Sequence, residues 1–431
     1  MTDVQAFARG CFQRTETDRV GVELEFLVFD AETPSRQVPI ARVADALPPL
    51  PGGSGVTFEP GGQLELATPP LPLSEAVAGL VADIDAVRRA LSAAGLVLGS
   101  RALDSIRIPV RQLRLPRYEA MAAFLGLPYG RLMMCSTASV QVNLDFGANP
   151  RARWDRAHLL GPVLVAAFAN SPRDGWMSGR QAVWLNLDRT RTAPVAMGGD
   201  PAEEWAEYLL DARLMLVREP ENAPGTNAPA TNAAGTSAPG TSGADMNGAN
   251  EAGANDVNSA NAAGVYGGGR GRAPIGPGVV ACRAVLDGSP YRDFARVAGR
   301  PPTGDDLAYH ATTMFPPVRP RGWMEIRYLD AQGPKDWPVC VAVVHALVTD
   351  DRAADAALDA ALPVRGDWAR AARFGLAEPR MRRAAEVCFR AAVEALPRLG
   401  ADPWLVERVG RFAARYIEPG RSPALDLEMC G

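Results

Sequence analysis

Four short stretches of this chain carry carboxylate and amide side chains at every second residue, with apolar residues between them. In Gly21-Val22-Glu23-Leu24-Glu25-Phe26-Leu27-Val28-Phe29, Glu23 and Glu25 alternate with Val22, Leu24, Phe26 and Val28. Successive side chains of a β-strand point to opposite faces, so the two glutamates share one face and the apolar set the other. The polar pair in Gly62-Gln63-Leu64-Glu65-Leu66 is Gln63 and Glu65. In Val140-Gln141-Val142-Asn143-Leu144-Asp145 the polar set is Gln141, Asn143 and Asp145, and in Trp323-Met324-Glu325-Ile326-Arg327-Tyr328 it is Glu325 and Arg327. A sheet built from these strands gathers several glutamates on one face, in a chain whose only lysine is Lys335. Carboxylates that close repel one another unless a hard cation sits among them, and Mg2+ and Mn2+ prefer such oxygen ligands. The pattern points to a metal-dependent site on a sheet surface. An antiparallel sheet with one solvated face also alternates. An ordinary solvated face would use Thr and Lys freely, however, and these four strands use Glu, Gln, Asn, Asp and Arg.

The elements that position such strands follow from the rest of the chain. A length of 431 residues allows one large domain or two, and 47% hydrophobic with 22% charged residues is the composition of a soluble globular protein. A net charge of −4 argues against a nucleic-acid surface. The first residues, Met1 to Ala6, lack the basic start and apolar core of a signal peptide, and Val339 to Val348 is too short to span a bilayer, so a cytoplasmic location is expected. The six cysteines show no CxxC spacing and read as reduced thiols. Cys135 invites a nucleophile reading, but a small buried hydrophobe is the commoner role. With almost every positive charge on arginine and no GxxxxGK[ST] loop, any phosphate or carboxylate must be held by guanidinium forks, backbone amides or metal.

From about Pro220 to Arg272 the sequence falls into Ala, Gly, Asn, Thr, Ser and Pro, which cannot bury enough apolar surface to offset chain entropy. Polar strands flank it on both sides. It therefore reads as a disordered insertion (220–272) within one domain formed by residues 1–219 and 273–431. The spacing of Val77, Leu80, Ile84, Val87 and Leu91 predicts a helix capped by Ser74 and stopped at Gly95. Further helices are expected over Trp154 to Ala169, after Asp367 as a cap, over Ala384 to Ala395 and over Pro403 to Tyr416. Pro60-Gly61-Gly62 reads as a hairpin turn, and the whole as an α+β fold with an antiparallel or mixed sheet.

The stretches Gly21–Glu25, Glu59-Pro60-Gly61-Gly62-Gln63-Leu64-Glu65-Leu66, Met133-Met134 through Thr137 to Asp145, and Phe315 to Asp330 resemble the glutamate–cysteine ligase family of the plant and actinobacterial type. The resemblance covers most of the chain outside the insertion. Leu329-Asp330-Ala331-Gln332 and the arginine-rich C-terminal helices align it with the actinobacterial branch that serves ergothioneine biosynthesis.

The resemblance implies a glutamine-synthetase-like sheet with one polar metal-binding face, flanked by helices. It implies an ATP-dependent ligase that phosphorylates the γ-carboxylate of glutamate, after which the amine of cysteine attacks. It implies Mg2+ or Mn2+ held by Glu23, Glu25, Glu59, Glu65 and Glu325, with Glu325 and Arg327 catalytic and Arg327 neutralising the transferring phosphoryl group. Gln141, where some relatives have a metal-binding histidine, joins Asn143, Thr137 and Arg180 as substrate- or ATP-binding positions, Arg180 as a clamp for a glutamate carboxylate. A ligase using another amine and a noncatalytic glutamate- or nucleotide-binding relative remain alternatives. Glutamate, cysteine and ATP are the partners implied, with no nucleic acid and no membrane. The oligomeric state is not legible.

Overall fold

The computed structural model describes residues 4–220 and 279–426. The insertion expected over 220–272 lies, apart from its first residue, outside the described residues. Its described flanks, β7 (Leu216–Pro220) and β8 (Val279–Ala284), pair antiparallel, with Leu216 opposite Ala284 and Pro220 opposite Val279.

The fold is α+β, centred on a six-stranded sheet in the order β3-β4-β1-β6-β10-β9. These strands are β1 (Val20–Phe26), β3 (Gly55–Phe58), β4 (Leu64–Ala67), β6 (Ser139–Leu144), β9 (Val318–Pro320) and β10 (Met324–Asp330). Each ladder of the sheet is antiparallel, so the mixed alternative falls away. Central β1 pairs with β4 on one side (Glu25 opposite Glu65) and β6 on the other (Glu23 opposite Gln141). The register thus sets the polar positions of three strands side by side.

The opposite face is apolar and packed. Val20, Val22, Leu24 and Phe26 of β1 join Val140 and Val142 of β6 and Ile326 of β10 in one core. Against them lie α1 (Leu73–Ala93), through Val77, Leu80, Ile84, Val87 and Leu91, and the later helix Trp337–Thr349. Burying a side chain such as Leu80 completely stabilises the fold by roughly 1.5–3 kcal/mol. Every residue from Trp337 to Val348 is buried, which is why that apolar run is a central core helix. No helix among the described residues is long and apolar enough to cross a membrane.

Several local expectations change. The first strand ends at Phe26; β2 (Val28–Asp30) leaves the sheet and pairs with β5 (Leu96–Leu98). Ser74 does not cap α1, because extended Pro72 already holds that position. The Ser74 hydroxyl instead donates to the Gly400 carbonyl and accepts from the Asp402 amide at 3.0 Å, tying α1 to the C-terminal region. The helix over Trp154 to Ala169 is two helices, Pro150–Leu159 and Gly161–Ala167, divided at Gly161-Pro162 where proline cannot donate to the preceding turn. Asp367 precedes the helix Trp368–Phe374 as expected, but its side chain makes no capping bond. The Pro403 helix ends at Phe412 and continues as a wider turn through Ile417.

Candidate active site

The polar face of the sheet forms the floor of a cleft. Glu23 and Glu25 project from β1 and Glu65 from β4, each flanked by side chains that point into the core. Glu59 comes from the hairpin between β3 and β4. That hairpin closes through the Glu59 amide to the Gln63 carbonyl (2.9 Å) and the Gly62 amide to the Glu59 carbonyl (2.8 Å). Gly62 has a φ of 92°, a conformation that favours glycine. A Cβ on Gly61 would stand 2.5 Å from the Cys135 Cα, so the turn lies directly on the helix Arg131–Ser136. Gln63 locks it there, accepting from the Gly61 amide (3.0 Å) and donating to the Thr137 carbonyl (2.9 Å).

Glu25, Glu59 and Glu65 converge: a carboxylate oxygen from each lies within 4.8 Å of the other two. Their neighbours are mostly neutral. Glu25 accepts from the Ser139 hydroxyl (2.9 Å) and Gln141 Nε2 (3.0 Å), Glu65 from the Thr57 hydroxyl (2.6 Å). Glu23 stands beside this trio and accepts from Asn143 Nδ2 at 3.0 Å.

The cationic side arrives with β9 and β10. Glu325, 1% exposed, receives Arg319 in a two-pronged contact, Nε to Oε2 at 2.6 Å and Nη2 to Oε1 at 3.0 Å. Arg321 reaches the same carboxylate at 3.2 Å and Arg327 at 3.0 Å. Arg327 also donates to Gln141 Oε1 at 2.6 Å, so Gln141 bridges Arg327 and Glu25. Register shifts between Ile326 and Leu329 leave two carbonyls in β10 off the ladder. The helix Gly179–Leu185 takes them up: Arg180 Nη2 donates to the Arg327 carbonyl (3.0 Å) and Gln181 Nε2 to that of Tyr328 (2.8 Å).

Arg180 is 3% exposed, and its Nε and Nη1 have no hydrogen-bond partner. Its counter-charge is Asp330, 4.0 Å from Nη1, which itself accepts from the Asn170 amide and the hydroxyls of Ser171 and Ser178. A guanidinium that lines the cleft with donors unspent has the chemistry to bind a carboxylate.

The two sides differ in electrostatics. Burial, and then the charges of Glu65 and Glu325, raise the Glu23 carboxyl to about 7. Burial, with Glu65 and Glu25 adding to it, lifts Glu59 well above the ordinary range; burial also raises Glu25. Glu325 is buried too, yet Arg319, Arg327 and Arg321 outweigh that burial and hold it far below the ordinary range. In the first group burial outweighs the nearby arginines, and at Glu325 it does not. A hard divalent ion fits the first group, where three carboxylates already converge.

The structure thus brings together Glu23, Glu25, Glu59, Glu65, Gln141, Thr137, Arg180, Glu325 and Arg327 around one cleft. Asn143 is placed beneath it, bonded to Glu23 and to Trp323 Nε1 (3.2 Å). The Thr137 hydroxyl is used on the Met133 carbonyl at 2.8 Å. Glu325 is apart from the converging trio and its oxygens are engaged by arginine. Asp145 is not on the polar face: it follows β6 and accepts from the Thr17 hydroxyl (2.7 Å) and the Arg19 amide (3.0 Å). Burial pushes the Cys135 thiol up to about 11, as suits an unreactive packing residue. Sequence reasoning missed Arg319, Arg321, Arg117 and Trp184, all lining the cleft. The alternation Val318-Arg319-Pro320-Arg321 was the available signal for the first two.

The model of Glutamate-cysteine ligase family 2 (GCS2) matches residues 19–427. A Mycobacterium tuberculosis protein named glutamate–cysteine ligase EgtA is 37% identical over 457 residues, covering 98% of this chain and 92% of its own. The Mycolicibacterium smegmatis protein of the same name is 38% identical over 430 residues, with 95% and 86% covered. The chloroplastic glutamate–cysteine ligase of Arabidopsis thaliana is 32% identical over 177 residues, 37% of this chain and 34% of its own.

Proposed function

Because the chain belongs to glutamate–cysteine ligase family 2, we propose that it joins the γ-carboxylate of L-glutamate to the amine of L-cysteine, with ATP converted to ADP and phosphate. The product is γ-glutamylcysteine, and we assign it to ergothioneine biosynthesis, as the sequence resemblance implies. A cytoplasmic location accords with this role. The observation that carries the reading is the convergence of three carboxylates on the sheet face with an arginine cluster on Glu325 beside them.

The chemistry needs two transfers. An oxygen of the glutamate γ-carboxylate attacks the terminal phosphorus of ATP and ADP leaves. The cysteine amine then attacks the activated carbonyl carbon, phosphate departs and the amine loses a proton. Phosphoryl transfer asks the protein mainly for alignment and charge neutralisation. Mg2+ or Mn2+ would supply charge compensation and a template for the phosphate oxygens. Glu25, Glu59 and Glu65 fit as its principal ligands, with Glu23 and Glu325 at the border of the group. Arg327, steadied by Gln141 and Glu325, fits the role of neutralising the moving phosphoryl group. Arg180, lining the cleft, fits the role of binding a glutamate carboxylate, and Asn143 holds Glu23 in position.

The test is ADP release by the purified chain with Mg2+, ATP, glutamate and a panel of amines. Cysteine-dependent ADP release is expected. A faster reaction with another amine would overturn the acceptor, and no release with any amine would overturn the ligase reading.

A further inference from the structure

A cavity of about 670 Å3 lies behind the catalytic cleft, on the apolar side of the sheet. Glu25 and Phe26 are neighbours in β1 that point to opposite faces, Glu25 into the cleft and Phe26 into this cavity. Its other walls come from α1, β5, the loop Gln332–Asp336 and the C-terminal helix Pro403–Phe412 with the turn that follows. Its size is that of a small-molecule site.

Two acceptors on its walls receive no hydrogen bond among the described residues. Gln332, 3% exposed, spends Nε2 on the carbonyls of Phe168 (2.7 Å) and Asp330 (3.1 Å), and its Oε1 is buried with no hydrogen-bond partner. An unmade hydrogen bond of this kind costs free energy that a donor group would recover. Asp336, at the start of the helix Trp337–Thr349, makes no capping bond with its side chain, and its carboxyl is raised to about 6, chiefly by burial.

Cations stand on the same walls. Arg88, Lys335 and Arg408 form no salt bridge with an acidic residue among the described residues. Arg408 reaches the Lys335 carbonyl (3.4 Å) and the Trp404 ring (5.1 Å), and its charge acts on Asp336. Arg101 and Arg415 are already engaged, the first with Asn170 Oδ1 (2.9 Å) and the Pro423 carbonyl (3.0 Å), the second with Asp426 (2.8 Å). Ile84, Leu98 and Trp404 supply apolar wall between the two kinds of polar group.

Oxygens without a hydrogen-bond donor, cations without a salt bridge beside them and an apolar surface together describe one ligand chemistry. We propose that this cavity is a second ligand site, for a free α-amino acid with an apolar side chain. The ammonium group donates to Gln332 Oε1 and Asp336. The carboxylate pairs with the Arg88, Lys335 and Arg408 set. The side chain covers Ile84, Leu98 and Trp404. This assignment does not depend on the ligase reading, because binding is measured without turnover.

The test is isothermal titration of the full chain with L-leucine, L-methionine and L-phenylalanine, in parent, Arg88→Ala and Asp336→Asn proteins of unchanged circular dichroism. Saturable binding of at least one of the three is expected, weakened about tenfold or more in each variant. ADP release with saturating ATP, glutamate and cysteine should stay within about twofold of the parent in both variants. The deaminated analogues 4-methylpentanoate and 3-phenylpropanoate should bind far more weakly. The proposal is overturned by no saturable binding up to about 10 mM, by affinity unchanged in both variants, or by equal binding of the deaminated analogues. It is also overturned if ADP release falls in step with binding, which would put the amino acid in the catalytic cleft.

Discussion

Arg327 Nη1 lies 3.0 Å from Glu325 Oε2, two residues away on the same strand, and the same nitrogen donates to Gln141 on β6. The guanidinium is therefore fixed between two strands and not merely balancing one carboxylate. A lysine at this position keeps the charge and loses the planar fork. Arg327→Lys is expected to lower kcat by about tenfold or more while moving the glutamate KM by less than about threefold. Steady-state kinetics at saturating ATP and Mg2+ check it. A kcat within about threefold of the parent, roughly 0.7 kcal/mol, would leave Arg327 with a charge-balancing role alone.

Divalent metal should be required. Turnover is expected to vanish in excess EDTA and return with Mg2+ or Mn2+. Because Glu25, Glu59 and Glu65 converge and Glu325 is engaged by three arginines, Glu59→Gln should weaken Mn2+ binding by about tenfold or more, read by electron paramagnetic resonance. Full activity in EDTA would remove metal from the site.

Gly61→Ala should damage the same site through the backbone. Its Cβ would meet the Cys135 Cα and carbonyl at 2.5 and 2.6 Å, so the hairpin holding Glu59 must shift. A loss of about 1–3 kcal/mol in urea unfolding is expected, together with weaker Mn2+ binding. Parent-like stability and metal affinity would show that the hairpin accommodates the methyl freely.

The raised carboxyl of Glu23 gives a pH signature in metal-free protein. A carboxyl whose folded pKa stands above its unfolded value contributes stability at low pH. That contribution is present below about pH 4.5, the unfolded value, and is lost as pH rises through about 7. Glu23→Gln should therefore flatten the fall in apo stability between these values and gain on the parent at pH 8. Parallel stability profiles for the two proteins, measured by denaturant melts in EDTA, would contradict the shift.

Deleting residues 222–269 should leave folding and catalysis largely intact. β7 and β8 are paired up to Pro220 and Val279, so the ends of the connecting segment are already held together. Loop-closure entropy changes slowly with length, so a stability change of about 1 kcal/mol is expected. A large loss of ADP release would assign that segment a catalytic part.

Much of the polar face was legible because strand periodicity is local: Glu23, Glu25, Glu65 and Gln141 sit in alternating runs, and one register aligns them. Glu59 lies outside any strand and was reached through the family motif, since nothing local says that a hairpin folds back over β1. The partners of Glu325 were hidden for a different reason. The scarcity of lysine suggested bare carboxylates, but Arg319 and Arg321 compensate Glu325 across the β9–β10 turn, a contact that sequence spacing alone does not fix. The helix break at Gly161-Pro162 was readable from proline chemistry. The use of Ser74 was not, because its hydroxyl is spent on the distant Gly400–Asp402 backbone.

The order of strands in the sheet has a consequence for synthesis. The clustered glutamates all precede residue 66, whereas Arg319, Arg321 and Arg327 follow residue 318, and β10 inserts between β6 and β9. At ribosomal speed, about 10 to 40 s separate the emergence of Leu144 from that of Met324. A β6 already paired with β1 would present an open edge during that interval, the kind of surface that invites pairing with another chain. The clustered glutamates of the cleft are thus made well before the arginines that engage Glu325.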